Sequence, residues 1–304
     1  MKSIYLAITD TNYLVRTLSL YRSFSGYLGM NKKFAIFCVD GHSFDILKKI
    51  SLPNCTVYAI EQFETDAARA IKHTRIKNEY TWTFKPIVMQ HVLAENPNLD
   101  WVVYLDGDMM AFGDPDAALL EVGDANVIIT PHRGADRKFQ REINVAGSCN
   151  AGYVAFRNSQ IGRDALEWWC LRCLELCPCV PVNGIYADQT YLDRMNEKFK
   201  GVLHLSHKGL NAGPWNILGV AISETESGVK LDDDDLLLYH FQGLRIHGTR
   251  IFDLYPGHIK ISSTVTRHIY RPYIHNIFDT FAMIRRVESD FAAGIDPIMT
   301  KPRL

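Results

Sequence analysis

The sequence lacks the features that mark membrane, secreted and nucleic-acid-binding proteins. No window approaches the ~18–20 apolar residues of a membrane-spanning helix. The first residues hold one lysine and a short apolar stretch broken by Asp10, unlike a secretory signal. The net charge over 304 residues is -1, which gives no electrostatic reason to bind nucleic acid or an anionic membrane. We therefore expect a cytoplasmic protein with no nucleic-acid partner.

The common signatures of phosphate binding and of serine hydrolases are also missing. No Gly-Lys dipeptide occurs, which excludes a P-loop, and the end of the first predicted strand carries no Gly-x-Gly-x-x-Gly fingerprint. No Gly-x-Ser-x-Gly nucleophile elbow is present either. A nucleotide, if one is bound, must be held in another way.

Disulfide bonds are not expected, because seven cysteines are an odd number in a chain long enough to fold without cross-links. Cys170, Cys173, Cys177 and Cys179 are closely spaced, so a zinc site is one alternative. The first three share a predicted helical face with Leu174, which is typical of a buried apolar stripe. The sequence favours reduced thiols over zinc.

What the sequence does contain is an alternation of short β-rich runs with helical patterns. Three such pairs follow one another from residue 3 to a polar helical stretch after residue 60. A helix predicted to start near Thr83, with Pro86 in its first turn, then precedes a strand at residues 101–105. This alternation predicts an α/β fold with a mostly parallel sheet flanked by helices.

The second half of the chain continues the pattern. Strands are predicted at residues 126–130, 150–158, 202–206 and 236–241, and helices at 159–177 and 267–291. Residues 134–148 are polar and poorly periodic, which predicts a mobile loop. With no repeat and no linker, we predict one sheet-centred domain over residues 1–262 and a helical extension over 263–304. The extension is predicted to pack on the domain, with a homodimer contact or a peripheral membrane contact as alternatives.

The most informative segment is residues 101–115, WVVYLDGDMMAFGDP. Asp106 and Asp108 follow a nearly apolar strand, at the carboxyl end where open α/β sheets bind ligands. Gly107 between them allows an unusual backbone and leaves room for a ligand. Two hard carboxylates so placed can hold Mg²⁺ or Mn²⁺ and leave coordination positions for phosphate oxygens. A simple Asp-Gly turn is the alternative.

Two other uses of such a pair fit the residues less well. An EF-hand loop needs an oxygen ligand, Gly and Glu where Met110, Ala111 and Ala117 stand. A phosphatase of the haloacid dehalogenase type also has two Asp after a strand, but its motif closes with Thr and lies near the first strand. Here Met110 stands at that Thr position, far along the chain. By elimination, the pair favours a metal-held diphosphate.

Four motifs now occur in a fixed order over most of the chain. They are ITDTNYL at 8–14, WTFKPIVMQHVL before WVVYLDGDMM at 82–110, NAGYVAFRN with the later ADQTYL at 150–192, and LLLYHFQG at 236–243. With them the sequence resembles nucleotide-sugar glycosyltransferases of the GT-A fold, especially the retaining family 8 enzymes and related bacterial sugar transferases. The resemblance implies a Rossmann-like GT-A sheet and a nucleotide-sugar donor, UDP-linked.

The resemblance also assigns residues to a metal and to the donor. Asp106 and Asp108 match the family's Asp-x-Asp motif, and His240 matches its third ligand for Mn²⁺ or Mg²⁺. A hydrogen-bonded core histidine is the alternative for His240. The residues that the resemblance implies for the donor are Thr9, Asp10, Tyr13, Lys85, Asp106, Asn150, Gly152, Trp215, Asn216 and Arg245.

Several of these assignments have a physical motive and an alternative. Tyr13 can stack on a base, whereas the alternative is that it packs beneath the following helix. Lys85 at a predicted helix start would be an unfavourably placed cation, which favours a role near the phosphates. Beyond Gly243 the family has Lys-Pro-Trp where this chain has LRIHG, so Arg245 is a candidate for the phosphate-binding cation.

Asp188 and Gln189 match the family's Asp-Gln segment at the reaction centre. Breaking a sugar–diphosphate bond develops negative charge on the phosphate and oxocarbenium character on the sugar. Asp188 or the Gln189 carbonyl would meet the positive charge, while the metal and Lys85 or Arg245 stabilise the negative one. Helix capping by Asp188 is the structural alternative, and an inverting enzyme would use it as a base.

The sequence therefore predicts a metal-dependent glycosyltransferase that moves a sugar, with retention, from a nucleotide diphosphate donor to a hydroxyl acceptor. The acceptor is a glycan, a lipid-linked sugar or a small molecule. One rival is a metal-dependent phosphotransferase or nucleotidyltransferase, which would release phosphate or pyrophosphate. The other is a non-catalytic nucleotide-sugar binding protein, which would bind the donor without turnover.

Overall fold

The apolar runs of the sequence form the strands of one central sheet in a computed structural model, which describes residues 1–134, 137–226, 228–248, 251–257 and 259–297. In chain order the strands are β1 (Ser3–Thr9), β2 (Lys32–Cys38), β3 (Cys55–Ala59), β4 (Trp101–Leu105), β5 (Met109–Ala111), β6 (Val127–Pro131), β7 (Cys149–Arg157), β8 (Val202–His204), β9 (Ile222–Thr225), β10 (Gly228–Leu231), β11 (Asp234–Asp235), β12 (Leu238–His240), β13 (Arg245–His247) and β14 (Ile251–Asp253).

Within these ranges the central sheet has seven strands in the order β3-β2-β1-β4-β7-β6-β8. Neighbouring strands are parallel, except that β7 runs antiparallel to both β4 and β6. The strands β1 and β4 are covered on both faces, which explains their nearly continuous apolar sequences. The prediction of a mostly parallel sheet flanked by helices is confirmed.

Helices cover both faces of this sheet. In chain order they are α1 (Leu14–Phe24), α2 (Gly41–Ile50), α3 (Asp66–Ile71), α4 (Lys77–Glu95), α5 (Asp116–Leu120), α6 (Arg137–Ala146), α7 (Gln160–Glu175), α8 (Met195–Lys198), α9 (Ser263–Val265) and α10 (Arg271–Arg285). Side chains alternate along β1: Tyr5 and Ala7 join the core beneath α1 and α10, whereas Leu6 and Ile8 join the core beneath α4 and α7.

The predicted start of α4 was wrong. The helix begins at Lys77, so Pro86 lies inside it and not in its first turn. The side chain of Glu79 accepts a hydrogen bond from the backbone nitrogen of Ile76 at 3.2 Å, which starts the helix earlier than its apolar pattern indicates. Because Pro86 has no N–H, it cannot donate to the carbonyl of Trp82 within the helix.

The loop predicted over residues 134–148 was also wrong, because this segment contains α6. Phe139, Ile143 and Ala146 fall on one side of that helix, at the spacing of an amphipathic face. The many polar residues around this narrow apolar stripe leave the segment with little hydrophobic periodicity, so the helix has no clear signal in the sequence.

The predicted C-terminal helix is present but shorter than residues 267–291. Its regular part is α10, preceded by a π-helical turn at Thr266–Tyr270. The last residues of the predicted extension, 298–304, lie outside the described ranges. No described helix combines the length and apolarity needed to cross a lipid bilayer.

The helix α10 packs against α1 through apolar and polar contacts. The Oγ atoms of Ser19 and Thr280 are 2.9 Å apart, and Arg22 donates to the carbonyl of Asn276 at 3.1 Å. This pairing accounts for one face of α10. The homodimer and membrane contacts considered for the extension stay predictions.

The cysteines form no disulfide, and all seven lie in the described part of the chain. Cys170 and Cys173 belong to the apolar core that also contains Trp169. Burial raises the pKa of Cys170 to about 12, so its thiol stays protonated. The predicted apolar packing is confirmed for these two residues.

Candidate functional site

A cleft of about 400 Å³ opens at the carboxyl ends of β1 and β4. It lies where an open α/β sheet is expected to bind its ligand. Residues singled out from the sequence that line this cleft are Thr9, Asp10, Tyr13, Lys85, Asp106, Asp108, Asn150, Asp188, Gln189, Trp215 and His240. The fold thus brings together residues that are widely separated in the sequence.

The two aspartates sit directly beyond β4. The backbone nitrogen of Asp106 donates to the carbonyl of Gly152 at 2.9 Å, which ties the pair to β7. A Cβ atom on Gly107 would lie 2.3 Å from Oγ1 of Thr17 and 3.2 Å from Cδ1 of Tyr13. Glycine is therefore needed because α1 packs closely over the pair, and not because of the unusual backbone that the sequence suggested.

His240 reaches the pair through a short antiparallel contact. The strands β5 and β12 pair with Met109 opposite His240, and the backbone nitrogen of Phe241 donates to the carbonyl of Asp108 at 2.8 Å. A Cβ atom on Gly152 would lie 2.7 Å from Nδ1 of His240. Gly152 therefore serves the site by making room for the imidazole.

The side chains of Asp106, Asp108 and His240 form a set of ligands that suits a divalent cation. Nε2 of His240 lies 3.0 Å from Oδ1 of Asp108 and 3.9 Å from Oδ2 of Asp106. One ligand atom of each residue lies within 4.8 Å of the ligand atoms of the other two. Among the described residues, this is the group of three or more His, Cys, Asp or Glu side chains whose ligand atoms lie this close together. Two carboxylates and an imidazole fit Mn²⁺ or Mg²⁺, and they leave coordination positions for phosphate oxygens.

The charges of this group depend on one another. Burial alone would raise the pKa of Asp108, but His240, the Tyr13 hydroxyl and Arg16 together more than offset it and lower that pKa to about 2. Burial likewise lowers the pKa of His240, yet Asp108 and Asp106 raise it above the ordinary value. The hydroxyl of Tyr13 also contacts Asp108. A cation bound here would take the place of the imidazolium proton.

Lys85 lies at the floor of the cleft between two carboxylates. Its ammonium is 3.1 Å from Asp106 and 3.2 Å from Asp188, and the residue is only 3% exposed. Burial lowers the pKa of Lys85, but the two aspartates raise it well above the ordinary value, so the lysine stays charged. It is a buried cation in the middle of α4, where the sequence indicated a helix start.

Asp188 and Gln189 both line the cleft, but their side chains make different contacts. Asp188 is 2% exposed, and burial raises its pKa while Lys85 lowers it. The indole of Trp169 donates to the backbone carbonyl of Asp188 at 2.8 Å. The Gln189 amide is engaged at both ends: it accepts from the nitrogen of Ala151 at 3.1 Å and donates to the carbonyl of Ala146 at 2.7 Å.

The carboxyl end of β1 forms another part of the wall. Thr9 is buried, whereas Asp10 is bound by the ammonium of Lys77 and accepts from the backbone nitrogen of Tyr13 at 2.7 Å. The Tyr13 ring is partly exposed toward the cleft. These three residues therefore flank the metal group on the side of α1.

The remaining predicted residues divide into two kinds. Trp215 lines the cleft edge-on to His240, with ring centroids 5.2 Å apart. Asn216 does not line it; its side chain instead bonds the backbone nitrogen of Arg133 and the carbonyl of Pro131. Arg245 also does not line it and lies on β13. Gly152 lies behind His240, as described above.

Sequence reasoning missed several residues of the cleft. They are Asn78, Thr81, Trp82, His132, Phe139, Ile143, Ala146, Tyr186, Gln242 and Tyr255. Asn78, Trp82 and Lys85 are spaced as one face of a helix, a signal that becomes visible only when α4 starts at Lys77. No motif marks the residues on α6, because that helix was not predicted.

Comparison with curated proteins finds two relatives in Bacillus subtilis (strain 168). The uncharacterized protein YfnF is 32% identical over 252 residues, which cover 81% of this chain and 83% of YfnF. The uncharacterized protein YfnD is 28% identical over 265 residues, covering 86% of this chain and 85% of YfnD. No protein-family model matches the chain.

Solved structures with a similar fold include two glycosyltransferases. The galactosyltransferase LgtC, in complex with donor and acceptor sugar analogs, is 13% identical with a TM-score of 0.52, covering 91% of this chain and 95% of LgtC. GlyE of Streptococcus pneumoniae TIGR4 is 16% identical with a TM-score of 0.50, covering 97% of this chain and 66% of GlyE. The predicted GT-A fold is confirmed, while membership of family 8 stays a prediction. By its identity and coverage with YfnF, the chain belongs to the YfnF family.

Proposed function

We propose that the protein is a metal-dependent glycosyltransferase. It moves a sugar from a nucleotide diphosphate donor, UDP-linked, to a hydroxyl of a glycan, a lipid-linked sugar or a small molecule. The observation that carries the proposal is the grouping of Asp106, Asp108 and His240 beside the Lys85–Asp188 ion pair in one cleft. The fold shared with LgtC and GlyE supports it.

Asp106, Asp108 and His240 would hold Mn²⁺ or Mg²⁺ with the donor diphosphate. The ion supplies positive charge that stabilises the diphosphate as it leaves the sugar. The protein's own part is to fix these ligands before the donor binds. Asp106 is tied to Gly152, and His240 is seated over the same glycine, so the site needs little rearrangement.

Lys85 and Asp188 would act at the bond that breaks. Lys85 touches the metal-binding Asp106 on one side and Asp188 on the other, so it adds positive charge close to the leaving phosphate. Asp188 lies across that lysine, where a carboxylate meets the positive charge that develops on the sugar. Since the Gln189 amide is engaged at both ends, we assign it to shaping this wall. The oxygen of the acceptor hydroxyl bonds to the anomeric carbon on the face that the diphosphate leaves, so the configuration is retained. The sugar–phosphate bond breaks in the same step, and the hydroxyl proton passes to the leaving phosphate oxygen.

A thermal-shift screen of nucleotide sugars with and without Mn²⁺ tests the binding part of the proposal. The cognate donor is expected to raise the melting temperature only with Mn²⁺, because a ligand that binds the folded state stabilises it by mass action. Asp108→Asn is expected to abolish this shift. Asp233→Asn, which changes an exposed carboxylate in the turn between β10 and β11, is the matched control and should leave the shift unchanged. Donor stabilisation without metal dependence would contradict the proposal.

Product analysis separates the rivals. A glycosyltransferase releases a nucleoside diphosphate, whereas a phosphotransferase or nucleotidyltransferase releases phosphate or pyrophosphate. Metal-dependent donor binding without turnover, over a panel of sugar and lipid-linked acceptors, would favour the non-catalytic alternative. The anomeric configuration of the product, determined by NMR, tests retention directly.

A further inference from the structure

We infer that Asn211 is a positioning residue for His240. Asn211 is the last link of a hydrogen-bonded chain that ends at His240. This chain keeps a proton on Nδ1 of His240 and turns its Nε2 toward Asp106 and Asp108. The inference deepens the proposed metal site and therefore rests on the proposed function. It concerns residues on four segments of the chain that no sequence motif connects.

Asn211 is fully buried next to the strand that carries His240. The following residue, Ala212, pairs with β12: its nitrogen donates to the carbonyl of Leu238 at 3.0 Å, and its carbonyl accepts from the nitrogen of His240 at 2.6 Å. Asn211 itself has a left-handed backbone with φ of 51°, which asparagine tolerates better than most residues. The loop that contains Asn211 thus places the side-chain amide of this residue next to three strands, β6, β7 and β12.

The Asn211 amide makes a bond with each of these strands. Its Nδ2 donates to Oγ1 of Thr130 on β6 at 2.6 Å and to Oδ1 of Asn150 on β7 at 3.0 Å. Its Oδ1 lies 3.2 Å from Nδ1 of His240 on β12. Both N–H groups of the amide are therefore used, and its oxygen faces the imidazole.

Two backbone groups determine which atom donates in each hydrogen bond of this chain. The carbonyl of Gly147 lies 2.9 Å from Nδ1 of His132 and can only accept, so that nitrogen carries the proton. Burial lowers the pKa of His132, so the ring is neutral and its Nε2 is an acceptor. Asn150 lies 3.3 Å from this Nε2 and must present its Nδ2 there. The nitrogen of Gly152 donates to Oδ1 of Asn150 at 2.9 Å, which fixes the same orientation independently.

The remaining step completes the assignment. Since Oδ1 of Asn150 is an acceptor, Asn211 must turn its Nδ2 toward it, and the Asn211 oxygen is then left for His240. An amide oxygen only accepts, so Nδ1 of His240 is the donor. Its Nε2 is thereby the nitrogen available to a cation between Asp106 and Asp108.

This chain also changes the role of Asn150. The sequence assigned it to the donor sugar, and it does line the cleft. Its oxygen already accepts from Gly152 and Asn211, and one N–H faces His132. One further N–H is the group it can offer to a ligand, so most of its bonding capacity serves to orient Asn211.

Direct titration of Mn²⁺ by calorimetry tests the positioning role without any assay of transfer. Asn211→Ala is expected to weaken Mn²⁺ binding about 10–100-fold, the usual effect of removing a hydrogen-bond partner of a metal-binding histidine. Asn211→Asp keeps an oxygen acceptor for Nδ1 but loses both N–H donors and places an oxygen opposite Oδ1 of Asn150, so it is expected to recover only part of the affinity. Asn196→Ala is the matched control, because it removes another Asn–His contact, to His204 at 2.9 Å, away from the cleft.

Two results of that titration would overturn the inference. One is wild-type Mn²⁺ affinity in folded Asn211→Ala. The other is an equal loss in Asn211→Ala and Asn196→Ala, which would indicate general destabilisation.

The protonation states can also be measured in the unmodified protein, which removes any dependence on folding of a variant. In ¹⁵N-histidine-labelled protein, long-range NMR correlations are expected to place the His132 proton on Nδ1, and with Mg²⁺ bound to keep the His240 proton on Nδ1. A proton on Nε2 of neutral His132 would break the chain at its first member. If the wild type binds neither Mn²⁺ nor a nucleotide sugar, the proposed function fails, and the His132 measurement still decides the hydrogen-bonded chain.

Discussion

The cleft has two halves that are built in opposite ways. The inner half is charged and closely packed, and consists of Lys85, Asp106, Asp108, Asp188 and His240. The outer half is lined by large side chains that are partly exposed, and consists of Trp82, Ile143, Tyr186 and Tyr255. In the inner half almost every polar atom has a fixed protein partner, whereas in the outer half the main feature is aromatic surface.

This difference matches two tasks of a group-transfer enzyme. Charged groups that are fixed in advance can stabilise charge developing at one defined bond, because they need no reorganisation. Exposed aromatic side chains instead offer adaptable contact area for a ligand. We therefore expect changes in the inner half to affect folding, metal binding and chemistry together, and changes in the outer half to affect acceptor binding alone.

The largest effect is expected from Lys85→Met. Removing the cation leaves Asp106 and Asp188 as neighbouring carboxylates without their shared partner. Breaking a buried ion pair in this way typically costs about 3–5 kcal/mol of unfolding free energy, measured by urea denaturation. Lys77→Met removes an exposed lysine from its pair with Asp10 and should cost about 1 kcal/mol or less.

A compensating variant sharpens that test. Adding Asp188→Asn to Lys85→Met removes one of the uncompensated charges and should recover part of the lost stability, which a double-mutant cycle measures. Equal losses of unfolding free energy in Lys85→Met and Lys77→Met would mean that the buried ion pairs of the inner half contribute no more to stability than an exposed pair.

Asp108→Asn should slow turnover strongly, with a smaller effect on folding than Lys85→Met. The expected loss of the transfer rate is at least about 10²–10³-fold, the range seen when one group that stabilises transition-state charge is removed. The measurement is nucleoside diphosphate release at saturating Mn²⁺, with Asp233→Asn as the control. A residual rate near that of the wild type would remove Asp108 from the reaction.

Gly107→Ala tests how tightly the inner half is packed. The new Cβ would meet Oγ1 of Thr17 at 2.3 Å, so we expect about 1–3 kcal/mol of destabilisation by overpacking. Combining it with Thr17→Ala removes the contacting hydroxyl and should restore part of the stability. Gly26→Ala is the control, because nothing lies within 4 Å of the added atom. Thermal denaturation of the three variants gives the comparison.

A carboxylate that does not line the cleft should contribute less, and its contribution should depend on pH. Asp40 caps α2 by accepting from the nitrogen of Ser43 at 2.8 Å, and it also accepts from Thr11. Burial raises the pKa of Asp40, but the hydrogen bonds from Thr11 and Ser43 lower it below the ordinary value. Asp40→Ala should cost about 1 kcal/mol at neutral pH, since it removes a helix cap.

The sign of the pH dependence follows from that lowered pKa. The stabilisation is complete above the unfolded-state pKa of about 3.9 and is lost as the pH falls through the lower folded-state value. Asp40→Asn keeps a capping oxygen but does not titrate. Its stability should therefore approach or exceed that of the wild type as the pH falls, measured by denaturation from pH 6 downward. A stability difference that does not change with pH would contradict the assignment.

The smallest effect is expected in the outer half. Trp82→Ala removes an indole that lies 6.5 Å, between ring centroids, from Tyr186. Loss of one aromatic contact of about 0.5–1.5 kcal/mol should raise the KM for the acceptor about three- to tenfold. The kcat and the Mn²⁺ dependence should stay as in the wild type. A change in Mn²⁺ affinity would show that the two halves are coupled.

The parts that could be predicted from sequence are those with a local signature. The central strands are apolar on both faces, and Asp106 and Asp108 stand at the end of one of them, so the fold and the candidate metal-binding pair were both accessible. The start of α4 was missed because a Glu79 side-chain contact sets it. Asn211 could not be found, since its function depends on three strands that meet only in the folded protein.

The contact between β5 and β12 has a consequence for folding. Only three residues on each strand pair, yet this pairing joins Asp108 to His240 from distant parts of the chain. Contacts between distant segments are slow to form, because a long loop must close first. The cation site is therefore expected to form late, after the central sheet. If so, a cation that binds the completed site acts mainly on the rate of unfolding, and Mn²⁺ should lengthen the lifetime of the native protein more than it hastens refolding.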